Sequence, residues 1–161
     1  MNITIRPAEE NDRILIKNIF NLYQNELSVY SDDFEFLDEN GYFAPDTADE
    51  ILPFGDGVFP YIIEENAHPI GFVMATDASY APDHADFCLE ELFLIRKKRG
   101  IGAADVAVKE VFQNRKGKWA LEVYQKNAPA LSFWRRFLSK NAQDFCEENT
   151  KDFVRMRFTV K

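Results

Sequence analysis

Residues 96–105 read RKKRGIGAAD: four adjacent cations, Arg96 to Arg99, run directly into Gly100-Ile101-Gly102. The segment follows the most strand-like stretch of the chain, DFCLEELFLI, and precedes a helical pattern. A strand that passes through a glycine loop into a helix makes a generic anion site. The helix start offers unpaired N–H groups and a partial positive charge, and glycine lets the backbone approach an oxyanion closely. The loop is not a P-loop, because no Gly-Lys-Ser/Thr follows at the required distance, and it is not a GxGxxG fingerprint, because position 105 is Asp. A nucleic-acid patch would need basic residues over a broad face, and the net charge of -8 argues against one.

The elements around this loop can be read from hydropathy periods. NITIR reads as a short strand, and Asn11 is placed to cap a helix running to about Leu27. Residues 28–56 are irregular, mix aromatic and acidic side chains, and contain Thr47-Ala48-Asp49-Glu50, a candidate single helical turn. VFPYIIE and IGFVMAT read as strands joined by a turn through Asn66-Ala67-His68-Pro69. Gly100 opens a helix to about Arg115 that ends at Gly117. KWALEVY is a strand, Asn127 caps a helix to about Ser139, Gln143 to Cys146 is a short strand, and Asp152 to Val160 alternates as another. The order is β-α-loop-β-β-β-α-β-α-β-β, one α/β (α+β) domain over residues 1–161 with a mixed sheet.

Charge is divided along the chain. From Asn18 to Ile95 there are 17 acidic residues and no Lys or Arg, whereas residues 96–161 hold 16 basic and seven acidic. One part of the molecule can therefore attract an anion and another a cation. The N-terminus lacks the apolar stretch of a secretion signal, and no apolar run approaches the roughly 20 residues of a membrane span. A cytoplasmic protein without membrane or nucleic-acid partners is the expectation. Cys88 and Cys146 lack a CxxC pattern and read as free, mostly buried thiols, while His68 and His84 lie in turn-like contexts, so no metal site is expected.

RKKRGIGAA resembles the pyrophosphate loop of the GNAT superfamily of N-acetyltransferases, whose pattern is Arg/Gln-x-x-Gly-x-Gly/Ala. Lys97-Lys98-Arg99-Gly100-Ile101-Gly102 fits it, with Lys at the first place. NAPALSFWRRF, from Asn127 to Phe137, resembles the family's Asn-x-x-Ala-x-x-Phe-Tyr helix. The loop is about two residues shorter than is typical, and the family's usual tyrosine falls on Trp134, a Phe-Trp variant.

The resemblance implies a mixed, mostly antiparallel central sheet of six to seven strands with about four helices. It also implies transfer of an acetyl group from acetyl-CoA to a primary amine by direct attack. By the same resemblance, Lys97, Lys98, Arg99, Gly100, Ile101, Gly102 and Ala103 would hold the pyrophosphate. Leu92, Phe93 and Leu94 would hold the pantetheine, with a backbone N–H near Leu94 on the thioester oxygen and Asn127 and Trp134 as further contacts. In the diamine acetyltransferases a glutamate at the position of Glu90 stands near the amine, which makes Glu90 the first choice of general base and Glu91 the second. The two face opposite ways on a regular strand. An indole N–H is not an acid in the useful range, so either the thiolate leaves without a side-chain acid, or Tyr124 or a loop tyrosine substitutes. The acidic span would build the acceptor cleft, with Tyr30, Asp32, Asp33 and Phe34 against a cationic small-molecule amine or a lysine-bearing peptide. The alternative is a CoA-binding module of the same fold without acetyl transfer. A homodimer is left open.

Overall fold

A computed structural model describes residues 2–43 and 55–161 of the 161-residue chain. The candidate turn at 47–50 lies outside the described residues. Seven strands form one sheet: β1 (Ile3–Pro7), β2 (Val58–Glu65), β3 (His68–Asp77), β4 (Phe87–Leu94), β5 (Gly117–Tyr124), β6 (Gln143–Asn149) and β7 (Phe153–Val160). Their spatial order is β1-β2-β3-β4-β5-β7-β6, and every pairing is antiparallel except that of β4 with β5. Three α-helices occur among the described residues: α1 (Arg13–Leu27), α2 (Ala103–Gln113) and α3 (Ala128–Asn141). This is the expected mixed, mostly antiparallel α+β architecture.

Each face of the sheet buries a separate core. On one face, Ile16, Ile19 and Phe20 of α1 pack on Val58, Ile62, Phe72, Met74 and Phe93. On the other, α2 and α3 bring Val108, Val111, Phe112, Trp134 and Phe137 onto Val73, Trp119, Leu121, Met156 and Phe158. The strict alternation of FVRMRFTV explains how β7 serves the second core: Val154, Met156, Phe158 and Val160 are all buried.

Several local expectations shift. The α1 entry is not capped by Asn11: a 3-10 turn, Glu10–Asp12, precedes the helix, and Asp12 Oδ2 accepts the Glu9 N–H at 2.9 Å. The β2–β3 turn is two residues rather than four, because Asn66 and Ala67 take the left-handed conformation that matches strand twist (φ 50° and 65°), and Glu65 pairs directly with His68. The 96–98 segment forms a 3-10 turn, so α2 begins at Ala103 rather than Gly100, and Gly117 opens β5. β6 runs on to Asn149, an edge strand on which Cys146 is exposed, contrary to the expected burial; Cys88 is buried.

The divided charge is largely stitched back together. Glu26 binds Arg96 and Arg99, Glu65 binds Lys98, and Asp83 binds both Arg155 and Arg157. Each such surface pair is worth about 0–1 kcal/mol. Their effect is to fix the loop at 96–99 against α1 and β2.

Candidate active site

The parallel pair β4–β5 positions the site by failing to stay paired. The strands meet at Phe87–Trp119 and Cys88–Ala120 and have no further ladder between them. From Leu89 onward one edge of β4 is therefore open. Ile95 N–H donates to Ile70 O at 3.0 Å, across to β3. Backbone polar groups of successive residues point to opposite neighbours, so those of Leu94 and Leu92 face the opening. The Leu94 carbonyl accepts from Arg99 Nε at 2.9 Å, and the Leu94 N–H remains turned toward the gap.

A β-bulge then reorders the two glutamates. Met74 pairs with Glu91 but Ala75 pairs with Leu89, which leaves Glu90 as the extra residue of β4. Leu89 points into the α2–α3 core and Phe93 into the α1 core. The bulge therefore puts Glu90 and Glu91 on the same, α1-facing side, and both line one cavity. The expectation that they face opposite ways holds only for a regular strand and is corrected here.

Their environments differ. Glu90 Oε1 accepts from Thr76 Oγ1 at 2.7 Å, a hydroxyl from the buried part of β3. Glu91 is half-buried and shares the cavity wall with Tyr23 of α1. Burial pushes its carboxyl up to about 8, a hydrogen bond with Tyr23 acts the other way, and the charge of Glu90 adds to the rise. Tyr23 is raised well above its ordinary value by burial first and by the Glu91 charge second. A carboxyl tuned toward neutrality suits proton abstraction.

The cavity measures about 460 Å³ and opens between α1, β4, β5 and the start of α3. Tyr124, at the end of β5, lines it with its ring 4.6 Å from that of Phe153 and 6.4 Å from that of Tyr30. Burial raises the Tyr124 phenol, so it stays protonated and can donate; a hydrogen bond with Ser31 works against that rise. Trp134 reaches the cavity but is 5% exposed and packs edge-on against Phe133 and Phe137 at 5.0 and 6.1 Å, so it is a core residue with one edge on the cavity. Asn127 caps α3 through its Oδ1, which accepts the Ala130 N–H at 3.2 Å, and also lines the cavity. The Cys88 thiol is pushed up by burial, which disfavours a thiolate nucleophile.

Of the expected acceptor residues, Phe34 lines the cavity and Tyr30 touches it through Tyr124. Asp32 and Asp33 are exposed in a 3-10 turn, where Asp33 is bonded by Ser31 Oγ at 2.9 Å. The sequence reading missed Tyr23, Gln24 and Thr76. A polar Gln24 inside the apolar stripe of Phe20 and Leu27 is a signal that could have been read, since a polar group on a core face asks for a partner.

The anion loop is more reserved in its cations and freer in its backbone than the sequence implied. Arg96, Lys98 and Arg99 are held by Glu26, Glu65 and the Leu94 carbonyl, which leaves Lys97 without a partner among the described residues. The Arg99 N–H is also taken, by Arg96 O at 3.2 Å. By contrast, no N–H of residues 100–105 has a partner among the described residues, since the first α2 bond is Val106 N–H to Gly102 O. Gly100 and Gly102 both lie at positive φ, 75° and 86°, and a Cβ at either would meet nothing within 4 Å. The open space above the loop and its unpaired donors fit a diphosphate, and the open β4 edge fits an amide-bearing chain. Gly102→Val forces a β-branched residue into the left-handed region at a cost of about 1–3 kcal/mol and crowds these donors. Calorimetric titration with inorganic pyrophosphate, a diphosphate probe, is expected to give a Kd at least about tenfold weaker for the variant than for wild type, the equivalent of one charge-assisted hydrogen bond.

No protein-family model matches the chain, and no curated protein matches it. Solved structures do. An acetyltransferase from Thermus thermophilus superposes with a TM-score of 0.73 at 15% identity, over 99% of this chain and 98% of that one. A PaiA N-acetyltransferase from Thermoplasma acidophilum, in complex with coenzyme A, gives 0.66 at 15% identity over 99% and 100%. A GNAT-family acetyltransferase from Staphylococcus aureus gives 0.68 at 15% identity, again over 99% and 100%. At these identities the likeness is one of architecture: the chain has the fold of the GNAT acetyltransferases.

Proposed function

We propose that this protein is an acetyl-CoA-dependent N-acetyltransferase acting on a primary amine of a cationic acceptor. The carrying observation is the Glu91 carboxyl, raised to about 8, in the cavity that opens where β4 leaves β5. The coenzyme A complex of the structurally similar PaiA enzyme supports the choice of cosubstrate. Bound here, acetyl-CoA would supply the acetyl group as an activated thioester.

The chain's own residues divide the remaining work. The N–H groups of 100–105 and the Lys97 ammonium hold the diphosphate. The open β4 edge at Leu92 and Leu94 orients the pantetheine like an added strand, and the Leu94 N–H donates to the developing oxyanion. Glu90 and Glu91, with the Tyr23, Phe34 and Tyr124 rings, draw in an ammonium. Glu91 accepts the proton of that ammonium, which leaves a neutral nitrogen to attack. Thr76 holds the Glu90 carboxyl group in place beside it. Tyr124, protonated at neutral pH, donates to the departing thiolate; Trp134, an N–H donor without acid character, packs the wall. The raised carboxyl favours transfer over a CoA-binding module without chemistry, for which a neutral wall would suffice.

The test is release of free thiol from acetyl-CoA across a panel of polyamines, aminoglycosides, amino-acid amides and lysine peptides. Amine-dependent release is expected with at least one class. Tight CoA binding with no release from any of them would contradict the reading.

A further inference from the structure

Every residue on the buried stripe of α1 is apolar except one. Ile16, Ile19, Phe20 and Leu27 share that face with Gln24, which is 1% exposed. Buried amides are nearly always hydrogen-bonded, yet Gln24 Nε2 is buried without any partner among the described residues. Leaving such a group unmade costs stability, and an apolar side chain of similar volume would avoid the cost. Gln24 also lines the cavity, one residue on from Tyr23, which shares that wall with Glu91. The last side-chain torsion of glutamine is broad, so either edge of the amide can turn to the cavity.

We propose that Gln24 is a specificity residue, and that the acceptor is a primary amine bearing a carbonyl oxygen close to the nitrogen, such as an aminoacyl amide or the amino end of a peptide. The proposal rests on the transferase reading above and narrows it. An amide N–H needs an acceptor, which an ammonium cannot be. Glu90 and Glu91 face the same cavity but do not bond Gln24, and the ammonium is the partner the proposed chemistry gives them. The missing acceptor therefore belongs to the part of the substrate next to its nitrogen. A simple alkyl polyamine has no such oxygen and leaves the amide unpaired, whereas a carbonyl satisfies it. Discrimination arises because a buried polar group is paired with one substrate and orphaned with the other.

The experiment compares glycinamide with n-propylamine in wild type, Gln24→Leu and Gln24→Met, with acetyl-CoA saturating. The ratio of the two kcat/KM values in each protein cancels the intrinsic basicity of the amines when the proteins are compared. Wild type is expected to favour glycinamide, and both variants are expected to lower that ratio by roughly tenfold, through KM for glycinamide. CoA affinity is expected to hold, and any loss with n-propylamine is expected to be much smaller than the loss with glycinamide. The Tm of the free variants is expected to rise by about 2–4 °C as the unpaired amide is removed. A ratio that is the same in all three proteins, or equal losses with both amines together with a lower Tm, overturns the proposal. Absence of thiol release from these two amines and from every amine of the panel would instead sink the transferase reading. Calorimetric binding of the two amines to the CoA-loaded proteins then decides Gln24 separately: a preference for glycinamide that the variants lose supports the role, and equal binding in all three overturns it.

Discussion

Glu91→Gln is expected to lower kcat/KM by about 10²- to 10⁴-fold, the contribution of a positioned general base, with CoA affinity unchanged. The wild-type profile should rise with pH through the ionisation of Glu91 and level off above about 8. The variant should lose that limb and keep only the ionisation of the amine itself. A stability measurement gives an independent reading of the same group. Folding raises the Glu91 carboxyl from an ordinary 4.5 to about 8, so the folded state holds a proton that the unfolded chain releases. The sign follows: wild type loses stability as pH climbs from about 4.5 to 8 and is flat above. Glutamine has no such proton. The Tm advantage of the variant over wild type is therefore expected to widen across that window and then stay constant. A parallel pair of Tm curves would remove Glu91 from the base role even if activity fell.

Gly71→Ala is expected to be the most damaging single methyl in the protein. Gly71 pairs with Leu94 where β3 meets the end of β4. A Cβ there would stand 2.0 Å from the Phe93 carbonyl oxygen and 3.0 Å from the Leu94 Cα. Both obstacles are backbone of central strands, with neighbours on each side, so neither can swing away. A clash of this kind belongs with the overpacking and strain mechanisms that cost about 3 kcal/mol or more, set against a typical domain stability of about 5–15 kcal/mol. A fall in Tm of about 10 °C is the expected reading. The damage should also reach chemistry, because the strand that must yield carries the Leu94 N–H. Gly100→Ala is the control. It has open space around it and a φ of 75°, so it pays only the left-handed strain of about 1 kcal/mol.

The contrast between these positions shows what was readable in the sequence. All seven strands and the three α-helices of the described residues were legible, most of them because they bury a face with its own period: FVRMRFTV alternates, and α1 repeats apolar residues at helical spacing, whereas the exposed edge strand β6 was read three residues short. The glycine pair and Asn127 were legible as a loop and a cap because backbone conformation and capping are local. The same local logic failed at Glu90 and Glu91. Their shared face comes from a bulge, which depends on which β3 residue each one meets and leaves no mark in LEELFL itself. It failed again at RKKR, where the pairing partners Glu26 and Glu65 are remote in sequence. Tyr23 looked like one more apolar contact of α1; only the fold brings its hydroxyl to Glu91. The choice between the two carboxylates was therefore a question of neighbours that only the fold supplies: Thr76 beside Glu90 and Tyr23 beside Glu91.

The central claim is that the β4–β5 opening carries a CoA thioester to an amine beside Glu91. Its most direct test is mass spectrometry of the amine together with a count of free thiol, in one incubation of wild type and of Glu91→Gln with acetyl-CoA and the best amine of the panel. The account expects one N-acetylated amine for each thiol released by wild type, and near-background amounts of both from the variant. Thiol release without acetylated amine, or equal product from the two proteins, would contradict it.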